Sequence, residues 1–167
     1  MKTKVVILSI DPGHREMGIA HFIGSELVDY GVKSLRRTGQ LSTRVLSRTI
    51  RRLLDEKTPD ILAIEENNFE HLPQNESVMR AFKIILNIAK ARDLQTYAFA
   101  PSTVKKVITG DGRATKRAIA QVVCSQFPYL KPFKNTGKRW KDGYHQNMFD
   151  AIAVGLAYLK LSKDNKL

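Results

Sequence analysis

Three acidic residues, Asp11, Glu65 and Asp150, stand where side chains could do chemistry. Asp11 closes the apolar run Val5-Val6-Ile7-Leu8 and opens Asp11-Pro12-Gly13, with Gly18 following. A carboxylate at the end of a buried strand, followed by a residue without a side chain, leaves room for a metal ion and a phosphate to reach the backbone. The same pattern also fits a turn in which Asp11 bonds its own loop amides. Glu65 ends a second apolar run, Ile61-Leu62-Ala63-Ile64, and Asp150 precedes the apolar Ala151-Ile152-Ala153-Val154. Carboxylate oxygens suit hard divalent cations such as magnesium. Taken singly, Glu65 also reads as an exposed strand-end acid, and Asp150 as an acid favoured by a helix dipole.

The elements that must position these acids are legible in the hydrophobic patterning. Strands are expected over Lys4–Asp11, Met17–Gly24 and Leu27–Ser34, joined tightly into an antiparallel meander. Arg36 to Gly39 reads as a basic loop and Leu41–Lys57 as a helix, ended before Pro59. The strand Ile61–Ile64 then delivers Glu65 into a polar loop, 67–74. A helix over Glu76–Ala91 carries a wide apolar face with Val78, Phe82, Ile85 and Ile88. A strand at Thr96–Ala100, a short helix at Ser102–Ile108, a turn at Gly110–Gly112 and a helix at Ala114–Gln126 follow. Phe127 to Tyr144, with Pro128, Pro132, Gly137 and five cations, reads as a basic loop. The last helix, Met148–Leu161, is apolar nearly all round and should be buried. This order predicts an α/β fold with a mixed sheet and helices on both faces, in one domain spanning 1–167. Asp11 and Glu65 then fall at the carboxyl ends of strands, where functional sites of such sheets gather.

The charge narrows the partner. Lys and Arg number 28 against 16 Asp and Glu, a net charge of +12, which favours a polyanion, most simply nucleic acid. No apolar run approaches the roughly 20 residues of a membrane span, and no membrane association is expected. The N-terminus enters a strand without a signal-peptide pattern, and the lone Cys124 excludes an internal disulfide and a cysteine zinc site. A cytoplasmic location is expected.

The motifs together resemble the RuvC family of Holliday-junction endonucleases, within the ribonuclease-H-like superfamily. Ile10-Asp11-Pro12-Gly13 resembles the family's opening strand, and Ala63-Ile64-Glu65 with Phe69 its second acidic strand and aromatic loop. Ala100-Pro101, Val104-Lys105 and Gly110, Gly112, Ala114 and Lys116 resemble its most characteristic segment, and Asp150-Ala151-Ile152-Ala153 its final acidic helix. The resemblance implies a ribonuclease-H-like mixed five-stranded sheet and a magnesium-dependent enzyme making paired nicks in four-way DNA junctions during recombination and repair. It implies two magnesium ions per site, with manganese as a substitute, held by Asp11, Glu65 and Asp150. It places Lys116 and Lys105 near the scissile phosphate, Phe69 at the branch point and Arg113 against the DNA backbone. A homodimer is implied, with the Glu76–Ala91 helix as its apolar face, and a branch-migration helicase complex is a compatible partner.

One departure stands out. Where the family carries a fourth acid, three residues before its last Asp, this chain has Asn147. Positions three apart share a helix face, so the Asn147 amide oxygen could ligate the metal, without charge and without acting as a base. Asn147 also reads as a helix N-cap. His145 lies roughly 140° around a continuous helix from Asp150 and joins the site only where the helix starts after it. A catalytically impaired junction-binding protein, a nuclease for structured RNA and, more remotely, an actin-like ATPase are the alternatives.

Overall fold

The computed structural model describes residues 4–13, 15–37, 40–66, 76–134 and 136–167. Its central sheet is built from β1 (Val6–Asp11), β2 (Glu16–Ile23), β3 (Glu26–Ser34), β6 (Ile61–Glu65) and β7 (Gln95–Phe99), in the order β3-β2-β1-β6-β7. The first three strands run antiparallel as a meander, while β6 and β7 run parallel to β1. The mixed five-stranded α/β architecture is therefore as expected. Two short strands, β4 (Arg36–Arg37) and β5 (Gln40–Leu41), pair as a small hairpin where a basic loop was expected.

Among the described residues, five α-helices flank the sheet: α1 (Thr43–Lys57), α2 (Glu76–Lys90), α3 (Pro101–Thr109), α4 (Lys116–Gln126) and α5 (Arg139–Lys163). Ser42 caps α1, its Oγ accepting from the Val45 N–H, so that helix begins two residues later than its apolar pattern suggested. Thr115 caps α4 in the same way, its Oγ1 accepting from Ala118 at 3.2 Å. Period-two alternation sends Leu8, Ile10, Leu62 and Ile64 to a core against α1 and α2. It sends Ile7, Ile61 and Ala63 to a second core against α3, α4 and α5.

The same alternation fixes where the acids point. Asp11 shares parity with Ile7 and Ser9, and Glu65 with Ile61 and Ala63, so both carboxylates face the α5 side. The β1–β6 register pairs Ser9 with Ala63 and Ile10 with Ile64. Carried on one residue, it sets Asp11 beside Glu65, about 4.8 Å away across the sheet.

Helix α5 lies close on this face because small residues let it. Ser9 Oγ donates to the Ala151 carbonyl at 2.8 Å. A Cβ on Gly155 would meet the Phe22 ring and come within 2.8 Å of Ser9 Oγ, and one on Gly18 would strike the Asn147 carbonyl. Buried Met148 to Tyr158, broken only at Asp150, bear out the expectation of a core helix. Among the described residues, no helix is long and apolar enough to cross a membrane.

The segment 127–144 corrects the sequence reading. Pro128–Phe133 form a 3₁₀ helix, and α5 starts at Arg139 rather than Met148. Aromatic anchoring explains the difference. Leu130 is buried, Tyr30 meets Tyr129 and Phe133, and Phe133 takes the edge of His145 at 5.1 Å between ring centres. The Tyr144 hydroxyl donates to the Val32 carbonyl at 3.4 Å. These contacts tie the first turns of α5 to β3 despite Gly143, since a helix already nucleated propagates readily.

Gly155→Ala should therefore lower stability by about 1–3 kcal/mol through overpacking, and Gly18→Ala by more, because a backbone carbonyl steps aside less easily than a ring. Urea denaturation checks both; unchanged midpoints would contradict the close seating of α5.

Candidate active site

Asp11, Glu65, Lys105, Lys116, Asn147 and Asp150 line one cleft of about 360 Å³, together with Pro12, Val78, Pro101, Val104, Ile119 and Ala153. Each polar member arrives for a local reason. Asp11 and Glu65 are strand ends. Lys116 is the first residue of α4, set there by the Thr115 cap. Asn147 and Asp150 share a face of α5, three residues apart. Lys105 projects from α3, which Pro101 starts and Gly110, at φ 85°, ends.

Electrostatics explain how these groups coexist. Burial, reinforced by the negative charges of Glu65 and Asp150, pushes the Asp11 carboxyl well above its usual range, against the pull of Lys116. Asp11 is 8% exposed. Burial also raises Asp150, although Lys116, Gln146 and Lys105 oppose it. Lys116 Nζ stands 3.4 Å from Asp150 Oδ2. Burial works against the Lys116 charge, yet Asp150, Asp11 and Glu65 together hold its ammonium above the usual value.

Asn147 lies well inside α5, so it is not an N-cap, and Asp150 is not a helix-start acid. The helix is continuous from Arg139 through His145, which turns His145 away from Asp150; its ring lies against Phe133 and Tyr144. The condition under which His145 could join the site is not met. Arg113 sits exposed on the loop before α4, its N–H donating to Asp111 Oδ1, and does not line the cleft. Phe69 lies outside the described residues.

Gln146 is the residue that sequence reasoning missed. Its Nε2 donates to Asp150 Oδ1 at 2.7 Å, leaving Oδ2 on the Lys116 side. The signal was its spacing, four residues before Asp150 on a helix, hidden by placing the helix start too late.

A divalent cation fits this donor set. All the candidate ligands are oxygens, three of them from carboxylates, and Glu65 and Asp150 add to burial in raising the Asp11 carboxyl. Among the described residues, no three acidic, histidine or cysteine side chains are gathered into a closed metal cage. Like charges hold one another off, and Asp150 is engaged by Gln146 and Lys116, so the site is an open one that a cation would draw together. Asp11→Asn should raise the thermal midpoint of the metal-free protein, because it removes a buried charge from beside two others. Calorimetry checks this, and a lower midpoint would show Asp11 to be held rather than repelled.

Residues 7–132 match the family model described as "Crossover junction endodeoxyribonuclease RuvC". The RuvC crossover junction endodeoxyribonuclease of Beijerinckia indica is 31% identical over 171 residues, covering 98% of this chain and 91% of that protein. The structure of Thermus thermophilus RuvC in complex with Holliday junction substrate superposes with a TM-score of 0.73 at 22% identity, covering 97% of each chain. The yeast mitochondrial Holliday junction resolvase Ydc2 superposes with a TM-score of 0.72 at 11% identity, covering 98% of this chain and 81% of that one.

Proposed function

The chain belongs to the RuvC family of crossover junction endodeoxyribonucleases, and from that premise we propose that it resolves four-way DNA junctions by metal-dependent phosphodiester hydrolysis at the cleft of Asp11. The observation that carries the site assignment is that acids from two strands and one helix, with two lysines, line a single cleft. In this reading residues 1–167 act as one nuclease domain.

Asp11, Glu65 and Asp150 would hold two magnesium ions, with manganese able to take their place. When bound, the ions supply an activated water and neutralise the leaving 3′ oxygen. Asn147 offers an amide oxygen beside Asp150. Gln146 fixes one Asp150 oxygen and leaves the other free to turn inward. The Lys116 side chain is 68% exposed, so its ammonium can leave Asp150 for the scissile phosphate. Lys105 adds positive charge on the same wall, where negative charge develops in the transition state. Phe69 is assigned to the branch point, and Arg113, which does not line the cleft, to a DNA arm.

A four-way junction has two strands to cut, and two sites related by two-fold symmetry match it. The dimer face is α2, whose Val78, Met79, Ile84 and Leu86 stay partly exposed beside its buried residues. The dimer works with a branch-migration helicase complex. A reducing, cytoplasmic setting suits the buried free thiol of Cys124.

The test is incubation of the protein with labelled four-way junction and magnesium, with products sized on both strands. Paired nicks are expected, absent with Asp11→Asn although junction binding persists. Nicking by Asp11→Asn at the parent rate, or equal cutting of linear duplex, would contradict the assignment.

A second reading, a junction-binding protein impaired in cleavage, draws on Asn147. With an amide where the family has an acid, the cleft carries one negative charge fewer, which weakens its hold on the metal. Asn147→Asp should raise the nicking rate and lower the magnesium needed, while His145→Ala should leave the rate unchanged. Rates on one junction across a magnesium series check this. No gain from Asn147→Asp would remove Asn147 from the site.

A further inference from the structure

The first two turns of α5 lie beyond both the cleft and the stretch matched by the family model, which ends at residue 132. Arg139, Gly143, Gln146 and Asp150 are spaced four, three and four residues apart, so they form one stripe along the helix. Trp140 flanks this stripe seven residues before Asn147. The catalytic face of α5 thus continues, without a break, from Asp150 to Arg139, roughly 16 Å along the axis at 1.5 Å per residue.

We propose that this stripe is a second DNA surface, along which the sugar–phosphate backbone of a junction arm runs from the cleft across Gly143 to Arg139 and Trp140. The inference rests on the junction reading of the cleft. Three observations carry it.

The first is composition. Trp140 is 68% exposed, and Lys138 and Arg139, its neighbours in the chain, are exposed as well. Lys141 Nζ sits 5.5 Å from the Trp140 ring centre. A large bare aromatic amid cations is a poor solvent surface but suits a polyanion with flat sugar faces. The nearby acid, Asp142, is already engaged, its Oδ1 accepting from both the Thr136 N–H and hydroxyl at 2.8 Å.

The second is cost. Lys138, Arg139 and Lys141 gather where the helix dipole disfavours positive charge. Gly143, inside the helix, costs about 1 kcal/mol against alanine. A Cβ there would meet nothing within 4 Å. Among the described residues, packing gives no reason for that glycine. A notch over which another molecule passes does.

The third is anchoring. The other side of the same turns is fixed, Tyr144 to Val32 and His145 against Phe133. The stripe is therefore held in line with the cleft. At 3.4 Å per base pair, its length corresponds to about five base pairs of duplex arm.

The test uses full-length Gly143→Gln, Arg139→Ala and Trp140→Ala on a four-way junction. Gly143→Gln replaces a poor helix former with a good one in open space, so its thermal midpoint should equal or exceed the parent's while junction affinity falls severalfold. Arg139→Ala should weaken binding and reduce the slope of log affinity against log salt by about 0.9, one phosphate contact. Trp140→Ala should lose affinity with no change in that slope. Parent-like affinity and salt slope in all three would overturn the proposal while leaving the cleft assignment standing. A parent that binds no junction would overturn that assignment, and this inference with it.

Discussion

The structure depends on how closely α5 sits on the sheet. Gly18 meets the Asn147 backbone, Ser9 holds the Ala151 carbonyl, and Gly155 rests on Phe22. These contacts recur every four residues along the helix, so a single stripe docks it. Asp150 lies just beside that stripe and is thereby carried to the ends of β1 and β6. A larger residue at Gly18 would lift the helix and take Asp150 away from Asp11. The glycine of the opening turn region therefore serves a helix more than a hundred residues later in the chain.

That seating creates an electrostatic problem which the cleft solves only in part. Three carboxylates share one cleft with two lysines, and burial together with the charges of Glu65 and Asp150 pushes the Asp11 carboxyl well above its usual range. Lys116 and Gln146 satisfy Asp150, yet they do so from its edges and leave the space before Asp11 uncompensated. A closed structural ion-pair network would have been expected to pull these acids below their usual range. Asp11 and Asp150 are instead raised, burial outweighing the pull of the lysines. Stability has been given up here for binding, in keeping with local rules failing at functional sites.

Much of this was legible in the sequence. Asp11 and Glu65 could be placed because each ends an apolar run whose alternation fixes the facing side. Asp150 could be placed by its helix. The antiparallel meander of the first three strands follows from the same runs and the tight turn at Gly24, whereas the order of the full sheet comes from the structure. The extent of α5 was not legible. Pro132 and Gly137 read as breakers, and the tertiary contacts that hold its first turns, Tyr144 on Val32 and Phe133 on His145, link positions far apart in sequence or across a connection whose path was unknown. That one error concealed Gln146 and left His145 and the capping role of Asn147 open. Arg113 was a candidate by its charge next to the Gly110–Lys116 segment, and no local pattern could tell that it does not line the cleft.

The most direct measurement is anomalous diffraction from crystals of the protein soaked with manganese. Metal is expected between Asp11, Glu65 and Asp150, with Asp150 turned from Lys116 toward it and the Asn147 amide oxygen facing the same position. Manganese bound elsewhere, or a cleft whose carboxylates keep their metal-free arrangement at saturating manganese, would contradict it.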